Sequence, residues 1–327
     1  MKGYFTIIAI KNGFTILSSA FSGFLNDLAL KFSASLAYYT IFSLAPLLLL
    51  MISLAGIFLG QEATQGKIFA EINGFVGNDA AKQLQDLIKH LQMQGKSTTS
   101  VIIGVVTLIF GASGVFGEIQ ESINIIWQVK PKPQKSWVKF IKDRLLSFSM
   151  IATLGFLLLV SLVINGVLLA ISERLKTFLP DATVIIFNVV NILISFIVIT
   201  VLFAVIFKVL PDVKVHWRDV LSGSIFTAVL FMLGRLVIGI YVTHSATSST
   251  YGEAGSLIAI LLWVYYTAAI LYFGAEFTRA YADFYGIEIQ PAEFAVHVEQ
   301  KEENRNVKVV PPKHKIGESR SGNRRSH

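Results

Sequence analysis

The sequence predicts an all-α polytopic membrane bundle of about six transmembrane helices, and three observations carry that prediction. Of 327 residues, 54% are hydrophobic and 15% charged, where soluble domains carry about a quarter charged. Mean hydropathy is +0.63. The apolar residues also come in uninterrupted runs as long as the roughly 20 residues that cross a hydrocarbon core of about 30 Å. Backbone groups in lipid must be satisfied within the chain. The runs are too long for barrel strands and lack their alternation, so helices are expected.

Taken in order, Tyr4–Leu30 is apolar but broken by Lys11, Asn12, Asn26 and Asp27. It reads as an interfacial N-terminal helix within residues 1–33, bent near Gly13. No short apolar core with a cleavage site precedes it, so a removed signal peptide is not expected. The six spans are expected at Ala34–Leu59, Val101–Trp127, Leu145–Ile171, Thr183–Leu210, Val220–Val242 and Ser256–Ala282. They form one membrane domain over 34–287. Residues 61–96 read as an outer helical hairpin, with Ile68, Phe69, Ile72, Phe75 and Val76 on one face and Leu84, Leu87, Ile88 and Leu91 on another. Asp181 and Asp219 stand where they can cap the fourth and fifth helices. Pro180 and Pro211 bracket the fourth. Trp127 and Trp217 fall at expected water interfaces. Residues 288–327 read as a disordered basic tail.

Charge orients the bundle. Twenty-one Lys and Arg lie on the side holding both termini and the connections around Lys135 and Lys214, against six on the other side. The positive-inside bias places that richer side in the cytoplasm, giving N-in/C-in topology. The formal charge of +7 therefore reflects membrane orientation, and nucleic-acid binding is not expected. Seven basic residues against one acidic between Arg305 and Arg325 suit the surface of an anionic leaflet.

Ionisable groups inside a span are costly, so each is a functional candidate. Arg235 lies deep in the fifth span, and Asn165, Asn188 and Asn191 come to comparable depth. Together they suggest a hydrated polar cluster, against which stands an Arg that snorkels to the surface. Glu118 and Glu121 sit one helical turn apart near the inner end of the second span. Glu276 and Arg279 reach similar depth on the sixth. These four suggest a gate or an ion path, or a structural pair of Arg279 with a glutamate. Gly104, Gly111, Gly114 and Gly117 flatten one side of the second span for close helix approach. Pro46 kinks the first span, and Tyr38 and Tyr39 give it a polar face. With no cysteine, dispersed histidines, and no HExxH, GxxxxGK[ST] or GxSxG, neither a metal, a cofactor nor an enzyme is expected.

The run Ala34-Ser35-Leu36-Ala37-Tyr38-Tyr39-Thr40-Ile41-Phe42-Ser43-Leu44-Ala45-Pro46 resembles the first-span signature of the YihY/BrkB family of bacterial inner-membrane proteins. So do Tyr251-Gly252-Glu253-Ala254-Gly255-Ser256-Leu257, continuing through Leu262-Trp263-Val264-Tyr265-Tyr266, and Phe273-Gly274-Ala275-Glu276. Ser122-Ile123-Asn124-Ile125-Ile126-Trp127 and Leu210-Pro211-Asp212 fit as well. The likeness covers residues 15–285 and implies a six-span helical domain in the inner membrane. Members have been labelled ribonuclease BN, a transfer-RNA-processing enzyme, and have been associated with virulence, serum resistance and transport of ions or lipids. The expected function is translocation of a small ion or lipid. Its alternatives are a membrane scaffold without transport and, remotely, RNA processing. Substrate, coupling ion and oligomeric state stay open.

Overall fold

In a computed structural model, the protein is described at residues 2–43, 114–132, 149, 153, 180–244 and 254–298. Its elements are α1 (Lys2–Asn26), α2 (29–43), α3 (114–126), β1 (Val129–Pro131), α4 (Pro180–Val209), β2 (Val213–Lys214), α5 (Trp217–His244), α6 (Ala254–Phe284), β3 (Gln290–Pro291) and β4 (Ala295–His297). The expected third span, except residues 149 and 153, the outer hairpin 61–96, Pro46 and residues 299–327 lie outside the described residues.

Helices α4, α5 and α6 match the expected fourth to sixth spans and are long and apolar enough to cross a membrane, over Val189–Val209, Trp217–Val237 and Ile260–Phe284. Pro180 is the first residue of α4, where its missing N–H costs nothing. The cap of α5 lies earlier than expected. His216 O accepts from the amides of Asp219 and Val220, so Asp219 stands inside the first turn instead of capping it. There its charge suits the helix dipole.

Two further expectations are corrected. The expected bend near Gly13 does not interrupt the helix, since α1 runs unbroken to Asn26. A glycine in a helix costs only about 1 kcal/mol, and the stripe of Ile16, Ala20 and Phe24 buried against its neighbours outweighs that. The chain breaks instead at Asp27–Leu28, where Leu28 adopts φ +58° before α2 begins. Nor does order end at Glu288. Gly286 (φ +63°) closes α6, with Ile287 N donating to Ala282 O, a C-terminal cap that glycine favours. The chain then returns to pair β3 with β2 and β4 with β1, both antiparallel.

These two ribbons fasten together the end of α3, the α4–α5 connection and the end of α6. Lys130, Lys132, Lys208, Lys214 and Arg218 thus cluster at one end of the bundle, as the charge pattern predicts. The α1–α2 turn joins them there through Asp27 and Arg279. The core fills the space between α3, α4, α5 and α6 with Ile123, Ile126, Phe207, Leu210, Val220 and Tyr272, all nearly inaccessible. The outward faces of α4 and α5 carry Ile192, Leu193, Ile197, Leu233, Leu236 and Val237 exposed, as helices bathed in lipid require.

Candidate functional site

The site is assembled on α6, which is gripped from two sides. On one, α5 lies antiparallel to it, and small residues let the backbones close. Thr278 covers Gly223 and Thr227 covers Gly274, so a methyl group at either glycine would overlap a threonine. Each threonine hydroxyl donates to its own helix, Thr227 to Gly223 O at 2.6 Å and Thr278 to Gly274 O at 2.7 Å. Phe226 stacks on Phe277 with ring centroids 3.8 Å apart.

On the other side α1 packs on the last turns of α6. Phe24 meets Phe273 edge to face at 5.5 Å, while Ile16 and Ala20 cluster with Ala280, Phe277 and Tyr281. Between these contacts the seam turns polar. Glu276 is buried, and its carboxylate lies so close to α1 that a methyl group on Gly23 would stand 2.5 Å from Oε2. The Asp27 carboxyl lies within hydrogen-bonding reach of Glu276. No donor among the described residues reaches Glu276 Oε1.

One helical turn on, Arg279 bridges Asp27 at 3.5 Å and Asp283 at 3.7 Å, and donates to the carbonyl of Ile126 at the end of α3. A single guanidinium therefore ties three elements together. Beside it opens a cavity of about 200 Å³, lined by Trp127, Gln128, Val129, Arg279, Asp283, Ile289, Pro291 and His297.

A second polar knot locks the same end of the bundle. Asn124 is buried on α3. It donates to Asp212 Oδ2 at 2.9 Å and accepts from Asp212 N at 2.8 Å, while Gln120 reaches Oδ1 at 3.4 Å. Asp212 O in turn accepts from Ala292 N. Nearby, Lys208 donates to Val215 O and lies 5.6 Å from the Trp217 ring centroid.

The candidates from sequence divide accordingly. Glu276 and Arg279 meet in one cluster, but Arg279 takes its carboxylates from Asp27 and Asp283. The expected pairing of Arg279 with a glutamate is corrected. Glu118 is half-buried and Glu121 is exposed; neither forms an ion pair among the described residues. Arg235 is exposed on α5 between Leu233 and Leu236, and Asn191 is exposed on α4. The Phe203–Phe231 contact sets these helices antiparallel. It puts Arg235 level with Ile199, about 12 Å along the axis from Asn191 at 1.5 Å per residue. Asn165 and the side chain of Asn188 lie outside the described residues. Tyr38 and Tyr39 are exposed on α2, and Tyr39 covers Gly114 of α3. Trp127, expected at a water interface, is buried with Nε1 unpartnered.

Sequence reasoning missed Asp27, Asp283, Gly23 and the Asn124–Asp212 knot. Asp27 stood out only as a polar break in an apolar stretch. Asn124 and Asp212 stood out only as members of two separate motifs, and nothing in their 88-residue separation announces contact.

Comparison with known proteins agrees with this architecture. The family model described as Virulence factor BrkB matches residues 20–295. A UPF0761 membrane protein of Pseudoalteromonas atlantica is 25% identical over 252 residues, 76% of this chain and 80% of the relative. Another, of Methylibium petroleiphilum, is 28% identical over 249 residues, 74% of this chain but only 56% of the relative. YfkH of Bacillus subtilis, which carries a ribonuclease-like name, is 24% identical over 248 residues, 75% of this chain and 86% of its own length. The chain thus spans little more than half the length of several relatives it matches. No solved structure matches. The family match takes in α2 to β3, both polar knots and every motif noted in the sequence: the chain belongs to the BrkB family of membrane proteins.

Proposed function

We propose that the protein is a six-span bacterial inner-membrane protein with both termini in the cytoplasm, and that it moves a small ion or a lipid across the bilayer. The observation that carries this reading is Glu276. It is a carboxyl inside an apolar helix long enough to span a membrane, buried, short of a donor, and one helical turn from Arg279, which lines a cavity at one end of the bundle. An ionisable group costs several kcal/mol in such a place, and in a structural role a glutamine would serve as well. The gathering of five cationic side chains at that same end supports assigning it to the cytoplasm.

In this reading α5 and α6 form the fixed wall, since their threonines are self-satisfied. The polar seam with α1 is the part that responds to cargo. The basic residues beyond 304 serve the anionic leaflet beneath. No step requires RNA cleavage, and we propose no catalytic activity.

The test is reconstitution into liposomes, with two readouts. One is scrambling of a fluorescent phospholipid, read by reductive bleaching of the outer leaflet. The other is ion flux, read by a trapped pH dye under a salt gradient. Wild type is expected to raise one of the two above protein-free liposomes, and Glu276→Gln to abolish it while eluting as a folded protein. Equal flux in wild type and Glu276→Gln, or none above the blank in wild type, would overturn the assignment.

A further inference from the structure

We infer that the ion taken by this site is a proton, held between the carboxyls of Asp27 and Glu276, and that it fastens α1 to α6. The use of that proton in transport rests on the function proposed above; its binding rests on how Gly23, Asp27 and Arg279 surround the buried Glu276 carboxyl.

An ionised carboxylate only accepts hydrogen bonds. Two carboxyls in hydrogen-bonding reach, with no other donor on Glu276 Oε1, are held together by a hydrogen on one of them. The remaining charges around Glu276 do not supply a substitute. On α6, Arg279 is committed to Asp27, to Asp283 and to the Ile126 carbonyl. One guanidinium therefore faces three carboxyls. From α3, Glu118 is not among the charges that act on Glu276, which are Asp27, Arg279 and Asp283.

A metal ion fits less well. Hard cations take six to eight oxygens for calcium, or an octahedron for magnesium. No group of three or more such side chains gathers for a metal among the described residues. A proton needs only the two oxygens present.

The surroundings are built for the contact to open. Gly23 lets the Glu276 carboxyl lie flat on the α1 backbone, so α1 covers it like a lid. Directly after Asp27, Leu28 holds φ +58°, a conformation that non-glycine residues adopt at some cost and that recurs at switch regions. When the proton passes to water, two carboxylates are left touching with one guanidinium between three negative groups. Repulsion then swings α1 about the Asp27–Leu28 turn and exposes Glu276 toward the cavity beside Arg279.

The sequence has no cysteine, so spin labels at Ser18→Cys and Tyr285→Cys report α1 against α6 alone; both positions are exposed. In lipid nanodiscs the distance between them is expected to lengthen as pH rises, along a one-proton curve. Glu276→Gln donates an amide hydrogen to Asp27 permanently, and is expected to hold the short distance at every pH. Asp27→Asn does the same from the other side, and magnesium chloride at fixed pH changes nothing. A wild-type distance indifferent to pH, equal pH responses in wild type and both variants, or closure by magnesium in place of acid would overturn the inference. No flux enters this measurement, so a failed lid and a failed transporter are told apart.

Discussion

Gly223 and Gly274 face threonines across the α5–α6 seam, while Gly23 faces a glutamate across the α1–α6 seam. Both seams use a missing side chain to bring a polar group against a backbone, yet they differ in who satisfies that group. Thr227 and Thr278 each turn their hydroxyl onto their own helix, four residues back, and the partner helix contributes only shape. Glu276 is completed across the gap by Asp27, and through it by Arg279. The first seam is therefore expected to be indifferent to pH, whereas the second, if a proton bridges it as inferred above, responds to acid and not to added cations. One helix carries a permanent contact on one face and a conditional contact on the other.

The comparison breaks most readily at the permanent seam. Gly274→Leu places a side chain where Thr227 sits, and overpacking of a closed interface costs about 1–3 kcal/mol or more. We expect little folded protein in detergent, read by size-exclusion monodispersity and melting. Gly23→Ala displaces only the far end of Glu276 and is expected to cost less than Gly274→Ala. The reverse order would remove the distinction between the seams.

Truncation sharpens it next. Ending the chain after Val298 is expected to leave the melting temperature unchanged. Ending it after Ile287 removes β3 and β4, and with them the ties to β1 and β2, and is expected to lower it clearly. Asp212→Ala strips Asn124 and Gln120 of their partner, and a buried polar group left unsatisfied costs about 1–3 kcal/mol. Its effect on melting is expected to be the same at acid and alkaline pH, because this knot is not part of the conditional seam. Lys132→Ala, which loses an exposed hydrogen bond to Glu293 O, is expected to stay within about 0.5 kcal/mol.

Much of the fold was legible because the membrane makes its demands locally. The length of the runs at α4, α5 and α6 is a property of contiguous sequence. The positions of Lys and Arg gathered the right connections at one end before any contact was known. The positive φ at Leu28 and the return of 290–297 to the bundle were not legible. A left-handed leucine has no sequence signal, and two-residue strands have no periodicity to read. At the site, Glu276 and Arg279 stood out because charge in an apolar run is conspicuous. Their true partners did not, since Asp27 and Asp283 lie at helix ends where an acidic residue is unremarkable. The polar cluster expected around Arg235 includes Asn165 and the side chain of Asn188, which lie outside the described residues.

The conditional seam is tested most directly by infrared spectroscopy of the reconstituted protein. Wild type at neutral pH should show the carbonyl band of a protonated carboxyl, shrinking as pH rises and missing from the Asp27→Asn, Glu276→Gln double variant. A wild-type spectrum that matches the double variant throughout the pH range would mean that no proton bridges α1 and α6.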